Sequence, residues 1–228
     1  MDKEKNVVDF YILCNKLKDV VRTGWKDWSV KRHRVESVAE HIYGVQMLAI
    51  AMWSEYKYDI DIRKVITMIS VHEMEETIIG DITCFQKNKE EKQKIGHKAV
   101  VEIFKKLSNA DEIKSLIFEF DERKTPEAKF AYFCDKLECD IQSKLYDTEN
   151  CVDLNHQEQN KTAQNQDVKN MLESGMSWSE MWMTFGQQRY NYDENFLSVS
   201  NYVKTNELYN TITDVKRLNS TNRTNKPR

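Results

Sequence analysis

The chain has 228 residues, with 34 Lys and Arg against 37 Asp and Glu, so its formal net charge is −3 at pH 7. This balance lacks the basic excess that nucleic-acid binding and binding to acidic membranes require, and neither partner is expected. Only 2 Pro and 6 Gly occur in the chain. Such a shortage of turn residues disfavours a fold of many short strands and favours an all-α fold.

No segment indicates export or a membrane span. The longest nearly apolar run, from Gly44 to Trp53, is well short of the roughly 20 residues that a spanning helix needs. The charged amino terminus has no signal-like apolar stretch, so we expect a cytoplasmic protein. The cysteines are odd in number and form no C-x-x-C pair, which argues against a disulfide framework and favours reduced thiols at Cys14, Cys84, Cys134, Cys139 and Cys151.

Apolar residues at helical spacing predict a first helix from Lys5 to Lys18. The next stretch, Val21 to Glu36, breaks this rhythm, and we expect a loop or short helix that mixes rings and cations. Ser37 and Glu40 form a capping box, which predicts the start of a helix that ends near Tyr56.

Asp61 can cap a third helix, which is predicted to continue through His72 to Glu76 towards Gly80. Thr125 and Pro126 give the clearest start signal in the chain, a cap followed by a proline at the first helical position. The same signals predict further helices over 90–107, 111–120, 125–145 and 196–208, a short aromatic helix after Ser177, and a polar surface loop over 148–166.

Four side chains could carry metal chemistry. His41 and His72 lie within apolar helical segments, Glu73 directly follows His72, and Asp135 lies on the long helix. Imidazole and carboxylate groups on rigid helices are suitable ligands for a divalent first-row ion. Taken singly, His41 is more often a core histidine and Asp135 a solvated acid. As a set on separate helices, the four predict a metal site.

Four segments resemble those of a known family in their residues, order and spacing: Arg22-Thr23-Gly24-Trp25, Glu36 to His41, His72 to Ile82, and Asp135 to Glu138. They resemble the HD-domain phosphohydrolases, and most closely the HD-domain 5'-nucleotidases that act on nucleoside and deoxynucleoside monophosphates. The resemblance covers about residues 5 to 147. It implies an all-α HD-domain bundle around one or more divalent metal ions, and many relatives are dimers, so a homodimer is expected.

The resemblance also implies the metal ligands, which are His41, His72, Glu73 and Asp135. Glu73 stands where the family has Asp. Both are hard oxygen ligands, but Glu is one methylene longer, so the ion or the helix must shift slightly. The identity of the metal stays open among Mn, Co, Fe, Ni, Zn and Mg.

The remaining implied roles concern catalysis and substrate binding. Glu76 would act beside the metal, and Asp81 would lie in the substrate pocket, although the first could be an exposed acid and the second a turn former. Arg22 would bind phosphate and Trp25 would stack on the substrate. Arg32 and Arg34 are alternative phosphate ligands, whereas the remaining histidines are expected to be solvated: His33, His97 and His156.

These patterns predict a phosphohydrolase core over 1–147, a C-terminal helical extension over 148–210 packed on it, and a disordered tail over 211–228. The predicted function is metal-dependent release of phosphate from nucleoside or deoxynucleoside 5'-monophosphates. The alternatives are a catalytically weakened nucleotide-binding or regulatory protein, and a nucleoside triphosphate or cyclic dinucleotide hydrolase on the same scaffold. A zinc deaminase and a P-loop enzyme are disfavoured, because their signatures are absent from the sequence.

Overall fold

A computed structural model describes residues 2–83 and 88–208 of the chain. Regular structure in these residues is helical, apart from an antiparallel bridge between Val21 and Ser37, so the predicted all-α fold is confirmed. The predicted tail, 211–228, and Cys84 lie outside the described residues. None of the helices that the structure describes combines the length and apolarity needed to cross a membrane.

A 3₁₀ turn, Lys16–Lys18, extends the first helix. Capping boxes begin the third and tenth helices at the predicted residues, Ser37 and Ser177, and Thr125 caps the eighth. In chain order they are α1 (Lys3–Asn15), α2 (Thr23–Asp27), α3 (Val38–Tyr56), α4 (Ile62–Val71), α5 (Glu76–Ile79), α6 (Lys89–Phe104), α7 (Ala110–Glu122), α8 (Pro126–Thr148), α9 (Gln166–Glu173), α10 (Trp178–Tyr190) and α11 (Glu194–Thr205).

The helix predicted to run from Asp61 towards Gly80 is interrupted in the structure. Helix α4 ends at Val71, and α5 begins only at Glu76. Between them, the N–H of Met74 donates to the Val71 carbonyl at 3.2 Å and the N–H of Glu76 donates to the Glu73 carbonyl at 3.1 Å. This three-residue spacing tightens the backbone into a turn. His72 and Glu73 therefore project from a turn between two helices, not from the side of one helix.

The predicted surface loop over 148–166 is largely non-helical, but it is not simply solvated. Cys151 and Ala163 are buried, and Gln157 donates from Nε2 to the Trp28 carbonyl at 3.2 Å. Asn160 donates to the Gln157 side-chain oxygen at 2.8 Å. The polar residues of this segment thus bond to one another and to α2 and its end, as buried polar groups must. Helix α9, which follows, was not predicted.

Three apolar clusters fill the interior formed by the described residues. The central one joins α3, α4, α8 and α11 and includes Val45, Met68 and Leu137. The second packs α6 and α7 against the start of α3 and includes Phe104. The third, here called the aromatic cluster, joins α2, the end of α8 and α10 through rings that are stacked or edge-on: Trp25, Trp28, Tyr146, Trp178 and Trp182. Helix α8 contributes residues to both the central cluster and the aromatic cluster and so connects them.

Candidate metal centre

Two helices and one turn bring the four predicted metal ligands together. His41 comes from the first turns of α3, His72 and Glu73 from the turn between α4 and α5, and Asp135 from the middle of α8. One ligand atom of each lies within 4.8 Å of the others. His41, His72 and Asp135 are buried, and Glu73 is partly exposed. These four residues are called the metal cluster below.

His72 presents a free lone pair to the cluster. Its Nδ1 lies 2.7 Å from the Ile69 carbonyl, which can only accept, so Nδ1 carries the proton and Nε2 does not. Nε2 is buried and has no hydrogen-bond partner among the described residues. Burial lowers the pKa of His72, which keeps the ring neutral. A buried polar atom without a partner costs about 1–3 kcal/mol, and a metal ion is the ligand that this lone pair fits.

His41 is held by two carboxylates. Its Nδ1 lies 2.6 Å from Glu138 Oε2, and its Nε2 lies 3.1 Å from Asp135 Oδ1. Burial and Arg22 lower the pKa of His41, but Glu138 and Asp135 outweigh them and raise it to about 9. A proton on Nε2 therefore bridges His41 and Asp135 at the place where a metal ion would bind both, and metal binding would displace that proton.

The two carboxylates of the cluster are ionised. Burial opposes ionisation of Glu73, but nearby positive charge, chiefly that of Lys92, lowers its pKa to about 2. Burial likewise opposes ionisation of Asp135, but Lys136, whose Nζ lies 2.8 Å from Oδ2, and His41 hold its pKa well below the ordinary value. Two imidazoles and two carboxylates are a donor set for a divalent first-row ion, so the residues present fit such a metal.

Glu76 lies beside the predicted ligands, although the helix predicted to carry both His72 and Glu76 is broken between them. The side chain is 3% exposed, its carboxyl is hydrogen-bonded to that of Glu73, and Lys92 Nζ lies 3.3 Å from its Oε1. Burial and the charge of Glu73 raise the pKa of Glu76 well above the ordinary value. The exposed-acid interpretation of Glu76 is therefore wrong.

Arg22 and Asp81 lie around the start of α2. Asp81 Oδ2 accepts from the Thr23 N–H at 2.6 Å, and the Asp81 carbonyl accepts from the Thr23 hydroxyl at 2.8 Å. Arg22 donates to Cys139 Sγ at 3.2 Å, and its Nε lies 3.8 Å from Glu36 Oε2. The guanidinium is thus already engaged, on the α8 side of the ligand helix α3.

Trp25, the predicted stacking ring, is 1% exposed. It stacks on Trp182 with ring centroids 4.9 Å apart, and its Nε1 donates to Glu36 Oε2 at 2.7 Å. The C-terminal residues cover the ring in a way that the sequence did not indicate. The predicted stacking face is therefore covered in this structure, and the hydrogen bond of Trp25 goes to Glu36, the carboxylate next to Arg22.

A cavity of about 140 Å³ opens next to the metal cluster, between α6, α7 and α8. His97, expected to be solvated, is half-buried in its wall and lies 2.7 Å from Asp121 Oδ2. Sequence reasoning had found Lys136 only as part of the Asp135 to Glu138 segment, and had no signal for most of the wall. The wall includes three of the predicted ligands, His72, Glu73 and Asp135, together with four further side chains, Lys92, Arg123, Tyr132 and Lys136.

The fold and the site together define an all-α protein with a buried site for a divalent metal ion. The family model described as HD domain matches residues 14–177, more than two thirds of the chain. The chain therefore belongs to the HD domain family, and the resemblance stated from the sequence is confirmed.

Curated relatives carry names that describe an activity. The chain is 35% identical over 150 residues to the 5'-deoxynucleotidase HDDC2 of Dictyostelium discoideum, in an alignment that covers 62% of this chain and 78% of that protein. It is 33% identical over 152 residues to the 5'-deoxynucleotidase hdd1 of Schizosaccharomyces pombe, which covers 64% of this chain and 74% of that protein.

Solved structures share the fold. The PH0347 protein of Pyrococcus horikoshii OT3 superposes with a TM-score of 0.57 at 23% identity, over 85% of this chain and 98% of that one. A protein of Magnetospirillum magnetotacticum MS-1, described as a predicted metal-dependent phosphohydrolase, superposes with a TM-score of 0.56 at 19% identity, over 87% of this chain and 91% of that one. At these identities the likeness supports the fold alone.

Proposed function

We propose that this chain is a metal-dependent phosphohydrolase that releases inorganic phosphate from nucleoside 5'-monophosphates, deoxynucleotides included. The observation that carries the proposal is the metal cluster, in which the buried Nε2 of His72 has no hydrogen-bond partner among the described residues and one ligand atom of each of the four side chains lies within 4.8 Å of the others. The relatives named 5'-deoxynucleotidase support the substrate class.

His41, His72, Glu73 and Asp135 would hold the ion. A divalent ion bound there supplies Lewis acidity towards a phosphate oxygen and towards water. Glu76, buried beside Glu73, would orient the attacking water. A cation held by Glu73 would offset the negative charge that raises the pKa of Glu76, so that its carboxylate could accept the proton of the water, which is general-base work. Because Glu76 is buried, bulk solvent competes little for its hydrogen bond to the attacking water.

Residues at the start of α2 complete the proposal. Asp81 contacts the nucleotide from the α2 side, because it follows the cap of α5 and is tied to Thr23. Arg22, the residue before Thr23, supports this wall through its contacts with Cys139 and Glu36. Trp25 supports this wall from behind through its hydrogen bond to Glu36. In this assignment Trp25 is a positioning residue, and it does not touch the substrate.

The test is a phosphate-release assay on the purified full chain. Nucleoside and deoxynucleoside mono-, di- and triphosphates are each incubated with Mn²⁺, Co²⁺ or Mg²⁺. We expect release from monophosphates in the presence of at least one metal, loss of release on chelation, and no release by His72→Ala. Phosphate release from triphosphates alone would favour the triphosphate hydrolase.

A regulatory protein would give a different result. Such a chain would bind metal and nucleotide but release no phosphate from any nucleotide, and Glu73→Asp, which restores the family residue, would gain activity. For a working enzyme shaped around Glu73, we expect the opposite: Glu73→Asp binds metal less well and turns over more slowly, because the shorter arm moves the carboxylate away from the ion.

The predicted assembly and division of the chain belong to this proposal as well. The homodimer is checked by sedimentation of the purified protein, and the cytoplasmic location by fractionation of the source cells.

The proposed core over 1–147 and the extension over 148–210 share the aromatic cluster, in which Trp25 and Tyr146 from the first contact Trp178 and Trp182 from the second.

A further inference from the structure

One cation in the cavity wall differs from the others in its partners. Lys92 lies 3.3 Å from Glu76 Oε1, and Lys136 lies 2.8 Å from Asp135 Oδ2. Arg123 lines the same cavity, and within the part of the chain that the structure describes no carboxylate forms an ion pair with it. Its Nε is buried and has no hydrogen-bond partner among those residues. A buried guanidinium N–H without an acceptor is unfavourable unless a ligand provides one.

Arg123 is held in place by its backbone and by an aromatic ring. It follows the last residue of α7 in a left-handed conformation, with φ of 54°, and its N–H donates to the Glu119 carbonyl. The guanidinium carbon lies 3.7 Å from the centroid of the Tyr132 ring, in cation–π contact. The ring fixes the guanidinium plane without using its N–H donors, which leaves the planar fork free for an anion.

The position of Tyr132 ties Arg123 to the metal cluster. Tyr132 precedes Asp135 by three residues, one turn of α8. Lys136 Nζ, 2.8 Å from Asp135, is also 5.3 Å from the centroid of the Tyr132 ring. Arg123 and the ligands His72, Glu73 and Asp135 thus share one cavity. An anion bound at the metal cluster would have Arg123 within the same enclosed space.

We propose that Arg123, held against Tyr132, binds the phosphate group of the nucleotide in this cavity. The proposal rests on the function proposed above and assigns the phosphate-binding guanidinium. Arg22, which the sequence suggested for this role, already contacts Cys139 and Glu36 and does not line the cavity among the described residues. A planar, bidentate donor pair suits a phosphate better than the point charge of a lysine does.

The experiment compares wild type, Arg123→Ala and Arg123→Lys, each loaded with the same metal. Binding of inorganic phosphate is measured by calorimetry, and KM and kcat are measured with a nucleoside 5'-monophosphate. We expect Arg123→Ala to weaken phosphate binding and raise KM by roughly 10- to 100-fold, the range for a charged hydrogen bond lost on truncation. Arg123→Lys recovers part of this loss, because the charge remains but the fork does not.

Lys124→Ala is the matched control. Lys124 is the next residue, its side chain is 77% exposed and it pairs with Glu122, so the variant removes the same charge outside the cavity. Bound metal is measured for every variant, and we expect it to be unchanged. Tyr132→Leu, which removes the ring and keeps the arginine, should weaken phosphate binding less than Arg123→Ala does. Tyr132→Phe, which keeps a ring, should bind phosphate better than Tyr132→Leu.

The outcomes separate this inference from the proposed function. Unchanged phosphate affinity and KM in Arg123→Ala, or a loss matched by Lys124→Ala, would overturn the role of Arg123 even if wild type is an active phosphohydrolase. If wild type hydrolyses no nucleotide, the proposed function fails, and phosphate binding that depends on Arg123 would still support the site. Absence of phosphate binding in wild type would overturn the site.

Discussion

The metal cluster and the aromatic cluster lie on the same helix, α8, and are built on opposite principles. The metal cluster buries charge: His41, His72 and Asp135 are each at most 3% exposed, with Glu73 beside them. The aromatic cluster buries rings, among them Trp25 and Trp178 at 1% exposed. Burying charged groups destabilises the fold, whereas burying aromatic rings stabilises it.

The unpartnered atoms of the two regions also differ. Within the described residues, Trp28 and Trp178 each have a buried Nε1 without a hydrogen-bond partner, and His72 has such an Nε2. The tryptophan atoms are N–H donors of residues packed in a cluster of rings. The histidine atom is a lone pair that faces two carboxylates and a second imidazole. Only the lone pair suits a cation. Substitutions in the metal cluster should therefore reduce metal binding, whereas substitutions in the aromatic cluster should reduce the free energy of unfolding.

The largest effect should come from removing a metal ligand. His72→Ala takes away one of four ligands, and the remaining three no longer enclose the ion. We expect the bound metal, measured by elemental analysis of the purified protein, to fall to the background level. His33→Ala, which changes an exposed histidine, is the control and should keep the wild-type content. Equal metal in wild type and His72→Ala would refute the assignment of the cluster.

The second effect tests chemistry at constant metal content. Glu76→Gln keeps the shape of the side chain but cannot accept a proton, so kcat should fall about 10²- to 10⁴-fold, the usual contribution of general acid–base catalysis. Bound metal should stay at the wild-type level. Glu55→Gln, on the exposed end of α3, provides the control. A near-normal kcat would return Glu76 to a structural role.

The third prediction concerns the aromatic cluster. Trp178→Ala removes a ring that is 1% exposed and contacts Trp25, Trp28 and Trp182. We expect the free energy of unfolding, measured with urea, to fall by about 3–5 kcal/mol. Metal affinity of the folded protein should not change. Tyr202→Ala, at 61% exposure, should cost far less; a tenfold loss of metal affinity in Trp178→Ala would show that the two regions are coupled.

The fourth prediction concerns the support behind His41. Glu138 accepts from Nδ1, which directs Nε2 towards the cluster. A methyl group at Gly44 would come within 2.7 Å of Glu138 Oε1, so Gly44 leaves the space that Glu138 occupies. We expect Glu138→Ala and Gly44→Ala to weaken metal binding about 10- to 100-fold, the usual effect of losing a carboxylate behind a ligating histidine.

A chelator competition assay measures this affinity. Glu138→Gln should lose less than Glu138→Ala, because its amide oxygen can still accept from Nδ1. Affinity equal to wild type in all three variants would show that packing alone orients His41. This effect is smaller than that of His72→Ala, since no ligand is removed.

The helices that begin with local signals were predictable from the sequence. Ser37 with Glu40, and Thr125 with Pro126, satisfy the free N–H groups of a helix start within one turn, so neighbouring residues decide the boundary. The periodicity of α8 put Asp135 away from the apolar stripe, on the side of Ala128 and Ala131, and left a solvated acid possible; the structure buries it. The meeting of the four proposed ligands followed from the family resemblance, and their role as ligands stays a prediction.

The features that the sequence did not indicate depend on distant contacts. The turn that carries His72 and Glu73 interrupts an apolar pattern that continues on both sides of it, so periodicity alone predicted one helix. The face of the Trp25 ring is covered by Trp182, which lies more than 150 residues later in the chain. Arg123 acquires its setting from Tyr132 on another helix. Each depends on packing between elements, which local spacing does not encode.

One buried acid on α8 belongs to neither region. Asp140 on α8 is fully buried, and its Oδ2 accepts from the Tyr192 hydroxyl at 3.1 Å and from the Ser200 hydroxyl at 2.9 Å. Its Oδ1 has no hydrogen-bond partner among the described residues. Burial raises the pKa of Asp140 to about 7, against these hydrogen bonds and the charges of Lys136 and Lys204. The folded chain therefore binds this proton more tightly than the unfolded chain does.

The smallest predicted effect follows from the sign of that shift. A carboxyl whose pKa is raised from 3.8 to about 7 stabilises the fold at acidic pH and loses that contribution as pH rises through this window. Asp140→Asn carries no titrating proton. Its free energy of unfolding, relative to wild type, should therefore rise by about 2 kcal/mol between pH 5 and pH 7. Urea titrations with chelator at both pH values measure this difference, and Asp59→Asn, at an exposed site, should show none. A difference for Asp140→Asn that is constant across the range would mean that Asp140 is ionised throughout in the folded protein, with Lys136 and Lys204 offsetting its burial.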